Sequence, residues 1–341
     1  MRYIFDQIAY FPQGGHGFNA TNKARIDVTK IMEKDGCVPF NIYTRPCKIK
    51  IWWLIMMILQ YFKFAWKVKN SDFVYIQYPI YKYCLFFFYI ALWFVKKKGA
   101  KIVFIIHDLD FIRNPVYLKW EKSILRPLKL AEQIVVHTLS MKKFLEENGI
   151  MPIKKILYLF DYLTKDSFSD LEYNKTHKNE VIFAGNLNKS PFLKELGETK
   201  FRYVKFNLYG LPAELNYSNN MKYMGSFKPD NVSFIKGGWG LVWDGDSLST
   251  CTGMIGRYLK YNASHKLSLY ISAGVPVILW KESGLSEWIT NNKLGIAINS
   301  LQELDVVLAE ITMDEYEEIQ RNVMEMSKKL REGGMLLSAL S

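Results

Sequence analysis

Short apolar strands alternate with helical segments twice along this chain, and a polar stretch separates the two runs. That alternation constrains the fold most, because it marks βαβ units and a parallel sheet. The first run opens with a strand at 3–5 and the loop FPQGGHGFNATN, then a helix over 23–34. An apolar helix near 51–67, the strand FVYIQYP, a second apolar helix near 83–95 and the strand KIVFIIHD follow. AEQIVVHT reads as strand, MKKFLEEN as helix and KILYLFDYL as strand. The segment KDSFSDLEYNKTHKNE lacks apolar periodicity and reads as an interdomain linker. Beyond it VIFAGNL, KFNLYG, WGLVWDG and PVILW read as strands, while HKLSLYISAG, LSEWITNNKLG, LQELDVVLAEI and the final amphipathic stretch read as helices. The expectation is an α/β chain of two Rossmann-like domains, at 1–165 and 175–320, with a terminal helix of about 320–341 able to pack back on the first. A length of 341 residues accommodates both.

The net charge of +12 is unevenly placed. Residues 1–170 hold 26 Lys and Arg against 14 Asp and Glu, hence +12, whereas 171–341 hold 19 against 19. The two halves therefore face different partners, and the basic half suits nucleic acid, anionic lipid or a phosphorylated substrate. Neither apolar helix reaches the roughly 20 residues needed to span a bilayer. Both are flanked by lysines, as interfacial anchors are, although packing on the sheet accounts for them equally. Cys37, Cys47, Cys84 and Cys251 form no short metal or disulfide pattern, and no cleavable leader opens the chain, which points to a reduced, cytoplasmic setting.

The richest chemistry lies at 237–280. Asn262 and Ser264 precede a helix, and helix N-termini offer free N–H groups to anions. Lys266 in the first turn would place its ammonium on the same phosphate, with Ser268 adding a hydroxyl. In FAGNLNKS, Gly185 ends a strand, and Asn186 and Lys189 follow where open α/β sheets bind ligands. Asp244 and Asp246 in D-G-D could hold a metal ion, but the lysine and helix already neutralise a diphosphate, so no metal or other cofactor is expected.

The stretch WDGDS…GRYLKYNASHKLSLYISAGVPVILW…NKLGIAINSLQEL resembles the bacterial β-1,6-galactofuranosyltransferases of surface-polysaccharide assembly, grouped with the glucosyltransferase 3-like enzymes of adhesin glycosylation. FDYL, IFAGNLNKSPFL, GFNATNKARID and IIHDLDFIR extend the resemblance over most of the chain. It implies a GT-B fold with a cleft between its domains, a UDP-sugar donor, no obligatory metal and a glycan acceptor, lipid-linked or otherwise. It also implies UDP-sugar contacts from Gly185, Asn186, Lys189, Tyr209, Asp244, Asp246, Asn262, His265, Lys266 and Ser268.

An inverting transfer also needs a base, and Asp108 after an apolar strand is the first candidate, with His16 the second. His107, Asp110 and Asp6 stand nearby in sequence or on the first strand. Gly14, Gly15 and Arg113 are candidates for holding the acceptor. Competing readings are a metal-dependent GT-A transferase, a degenerate transferase retained as a scaffold and a non-catalytic basic lipid- or nucleic-acid-binding module. No zinc-finger, RNP or helix-turn-helix pattern supports nucleic acid. Homo-oligomerisation stays open.

Overall fold

The computed structural model describes residues 1–9, 20–44, 50–215 and 217–341. The chain divides into two compact units, Met1–Leu157 with Leu336–Ser341 and Tyr158–Met335.

In the first unit the strands are β1 (Arg2–Ala9), β2 (Val38–Thr44), β3 (Phe73–Tyr78), β4 (Lys101–Ile106), β5 (Gln133–Val136) and β6 (Ile153–Ile156). They are parallel and ordered β2-β1-β3-β4-β5-β6. The step from β1 to β2 runs one way across the sheet and the steps from β2 to β3 and β3 to β4 run the other. Right-handed crossovers therefore put α1 (Ala20–Lys34) on one face, and α2 (Lys50–Lys67) and α3 (Leu85–Lys97) on the opposite one. Strand alternation sorts the side chains accordingly. Phe5 meets Phe64 of α2 and Phe88 of α3 at ring separations of 4.9 and 5.6 Å. Its neighbour Asp6 faces α1, where its buried carboxylate pairs with Arg25.

The second unit contains β7 (Glu180–Ala184), β8 (Lys205–Tyr209), β9 (Met221–Gly225), β10 (Trp239–Val242), β11 (Val277–Trp280) and β12 (Gly295–Ile298). Their order, β12-β11-β10-β7-β8-β9, is parallel and matches the doubly wound dinucleotide-binding pattern. Winding reverses between β7 and β10, so a crevice opens at their carboxyl ends. The helix His265–Ser272 is clamped over this point. A Cβ on Gly240 of β10 would stand 2.2 Å from the Tyr270 ring, so only glycine permits the approach, and the Tyr270 hydroxyl accepts the Ala184 N–H at 2.8 Å.

Several sequence expectations are corrected. KILYLFDYL leaves the sheet at Ile156, and residues 157–162 are mostly buried outside it. The polar linker instead belongs to the second unit and contains the helix Leu171–Thr176, begun where Asp170 accepts the Tyr173 N–H. The stretch MDEYEEIQRNVMEMSKKLRE is a helix as read, Met313–Glu332, but it belongs to the second unit. There the Ser327 hydroxyl donates to the Ser272 carbonyl at 2.8 Å, and that of Tyr316 to Gly238. A left-handed Gly333 ends it, and only the residues beyond Met335 join the first unit, where the Ala339 carbonyl accepts from Gln133. β2, β9 and β12 are additional strands.

Candidate functional site

At the winding reversal, three segments converge. Asp244 follows β10, Gly185 follows β7, and Lys266 projects from the first turn of the helix above them. Lys266 Nζ lies 2.5 Å from Asp244 Oδ1, and both side chains are about four-fifths covered (18% and 20% exposed). The lysine stem crosses Gly185 closely: a Cβ there would stand 3.2 Å from Lys266 Cε. The ammonium also lies 5.3 Å from the Phe183 ring centre, over the face that attracts cations.

The β7 turn is held from its other side by a second glycine. Gly185 N–H donates to the Tyr209 carbonyl at 2.9 Å, and Gly210, at φ +147°, passes so near that a Cβ would meet the Gly185 carbonyl. Asn186 and Lys189 emerge exposed from this turn, beside the crevice. At the helix start, Ser264 makes no side-chain capping bond; the Leu267 N–H donates to the Ser264 carbonyl at 3.0 Å, and the His265 and Lys266 N–H groups face the end where helices receive anions. Asn262 Oδ1 is buried with no hydrogen-bond partner among the described residues. His265 is half-buried with its ring 4.6 Å from that of Phe160, and burial pushes the imidazole down to about 4. It is therefore neutral at pH 7.

Two side chains expected at the site are fully buried. Ser268 lies about 200° round the helix from Lys266 and is fully buried, so its hydroxyl points away from the ammonium. Tyr209 is likewise fully buried, and its hydroxyl accepts the Lys236 N–H at 2.9 Å. What it gives the site is its backbone carbonyl. The D-G-D carboxylates also part ways: Asp244 pairs with Lys266, whereas Asp246 is exposed and lies where a side chain on Gly253 would fall. Phe183 and Tyr270 were not anticipated; their only signal was position at a strand end and one turn beyond Lys266.

In the first unit, Asp108 follows β4, is 27% exposed and stands 3.7 Å from Arg113 Nη1. Asp110 begins the short helix Asp110–Arg113. His107 is buried with Nε2 2.8 Å from Gln77 Oε1. The Gln77 amide donates to the Arg25 carbonyl and the Thr29 hydroxyl, which fixes its orientation, so His107 Nε2 carries the proton. Asp6 is removed as a candidate base: it is fully buried, holds Arg25 and takes the Gln7 N–H. Gly14, Gly15 and His16 lie outside the described residues.

Two doubly wound units, one with a cationic crevice at its winding reversal, define the GT-B fold. Solved structures of that fold are similar over nearly the whole chain. HepE of Anabaena, crystallised with UDP and glucose, is 14% identical with a TM-score of 0.57, covering 99% of this chain and 98% of that one. The UDP-forming α,α-trehalose-phosphate synthase of Burkholderia vietnamiensis is 9% identical with a TM-score of 0.56, covering 100% and 98%. In sequence, residues 8–159 match the glucosyltransferase 3-like N-terminal domain and 181–341 its C-terminal domain. The β-1,6-galactofuranosyltransferase WbbI of Escherichia coli K12 is 31% identical over 283 residues, 80% of this chain and 79% of the relative. Glucosyltransferase 3 of Streptococcus gordonii is 26% identical over 243 residues, 70% and 69%. The chain belongs to the glucosyltransferase 3-like family and is a glycosyltransferase.

Proposed function

We propose that the enzyme takes a UDP-sugar in the second unit and transfers its hexose, galactofuranose in our reading, to a glycan acceptor with inversion. The supporting observation is the Lys266–Asp244 pair at the winding reversal, beside a helix start that has no side-chain cap. A diphosphate arriving there exchanges one carboxylate for two phosphates on the same ammonium and gains the helix N-terminus. That supplies the charge neutralisation a leaving UDP needs, so we propose transfer without a metal ion. Asn186 and Lys189, exposed on the β7 turn, would complete the donor site. The similarity to WbbI supports galactofuranose. The similarity to glucosyltransferase 3 supports the second reading, a UDP-glucose-type donor and a glycosylated protein as acceptor.

In the proposed step the acceptor hydroxyl attacks the anomeric carbon, the bond to the UDP oxygen breaks, and the hydroxyl proton passes to Asp108. Arg113 would hold an acceptor phosphate if the glycan is carried on a lipid diphosphate. UDP release from UDP-galactofuranose, UDP-galactopyranose and UDP-glucose, assayed in chelator, separates these donors. Release from the first alone supports our reading, release from UDP-glucose alone supports the second, and release from none refutes both. Asp108→Asn should lower kcat by about 10²–10⁴-fold with UDP affinity unchanged. Near-normal turnover would move the base elsewhere, with His16 next.

A further inference from the structure

α2 is apolar on both faces, and only one of them is covered. Met57, Tyr61 and Phe64 are buried toward the sheet. On the opposite side Trp52, Met56, Leu59 and Trp66 follow one another at helical spacing, interrupted by Lys63, with Trp52 57% and Trp66 86% exposed. α3, packed beside it on the same sheet face, repeats the arrangement with Phe86 and Trp93. A water-facing helix normally carries polar residues there, and soluble chains seldom expose adjoining apolar stripes of this extent.

Basic groups border these stripes. Lys63 lies within the α2 stripe and Lys97 stands 5.4 Å from the Trp93 ring centre. Next to α3, a hollow of about 610 Å³ is lined by Tyr89, Lys122, Arg126 and Lys129, with Glu121 the one acid. Arg126 stacks over Tyr89 at 4.1 Å, which keeps its charge at the rim of the α3 stripe. Other lysines of the region have structural duties. Lys98 caps α2 through the carbonyls of Ala65, Trp66 and Val68, and Lys96 pairs with Glu132.

We propose that this face docks on an anionic lipid bilayer, with the two stripes in the headgroup–acyl boundary and Lys122, Arg126 and Lys129 on lipid phosphates. The chemistry is that of interfacial attachment: aromatic and aliphatic side chains enter, cations stay at the surface, and the helices lie in the plane. Among the described residues no helix is long and apolar enough to cross a membrane. Charge complementarity selects lipid over a second copy of the chain, since two copies meeting here would oppose like-charged rims. The inference is independent of the proposed donor chemistry.

The test is co-sedimentation with vesicles of phosphatidylcholine alone and of equal parts phosphatidylcholine and phosphatidylglycerol. Measurements cover the full chain, Trp52→Gln/Trp66→Gln/Phe86→Gln, and Lys122→Gln/Arg126→Gln/Lys129→Gln. Light scattering gives oligomeric state, circular dichroism gives folding and calorimetry gives UDP binding. Wild type should prefer the anionic vesicles and lose affinity with salt. The aromatic variant should bind at least about tenfold more weakly to both vesicles, and the basic variant should lose only the anionic preference. Negligible wild-type sedimentation with either vesicle overturns the proposal. So does an aromatic variant that binds lipid normally, or one whose only change is dissociation of an oligomer. UDP binding should be unaltered in both variants, so failure here leaves the donor site standing.

Discussion

At the scale of single residues, the direction in which each polar group can point decides what it can bring to the crevice. Lys266, Asp244, Gly185 and Asn186 were legible because they follow strands or open a helix, where backbone geometry leaves few other directions. Ser268 was not, since two positions along a helix carry a side chain to nearly the opposite face. Tyr209 was misleading for another reason: its hydroxyl is satisfied by a backbone N–H 27 residues away, a pairing no local pattern encodes. His265 gives a residue-scale prediction. Its unfolded imidazole titrates near 6.5, and burial takes the native one to about 4, so the native state binds fewer protons between those values. Its contribution to stability should be complete above about pH 6.5, fall as pH drops, and level off below about pH 4. Denaturant midpoints at about pH 7 and about pH 4.5 should therefore differ more for wild type than for His265→Phe. An identical pH dependence in both would mean that the imidazole titrates normally.

At the scale of elements, the strand–helix alternation predicted nearly every core strand, because buried parallel strands are short apolar runs between turns. β2, β9 and β12 carry weaker signals: VPFNIYT is interrupted by Pro39 and Asn41, MKYMG and GIAI are short, and all three become strands at the edges they extend. KILYLFDYL was overextended because burial alone resembles strand until a partner is missing. The helix carrying Lys266 is positioned by one bond that sequence cannot show, from the Ala184 N–H to the Tyr270 hydroxyl. Tyr270→Phe strands that buried N–H and should destabilise the protein by about 1–3 kcal/mol. Urea unfolding followed by circular dichroism measures this. A stability equal to wild type would show that β7 and the helix hold their places without the bond.

For the whole molecule, charge and chemistry divide in the same way. The basic excess lies in residues 1–170, with the exposed aromatic stripes and Asp108, whereas the balanced half carries the crevice with the Lys266–Asp244 pair. That division was visible in the sequence, but the lysines that matter for it were not. Lys96 and Lys98 look like surface anchors by spacing, yet one pairs with Glu132 and the other caps a helix. The central claim is that the second unit holds a nucleoside diphosphate through Lys266. Titration calorimetry of UDP in the presence of EDTA, with wild type and Lys266→Ala, tests it most directly. The account predicts saturable binding by wild type, and a loss of about 1.5–3 kcal/mol, roughly ten- to hundredfold in Kd, in a variant that remains folded. Equal affinity in the folded variant, or wild-type binding only when a divalent metal is restored, would contradict it.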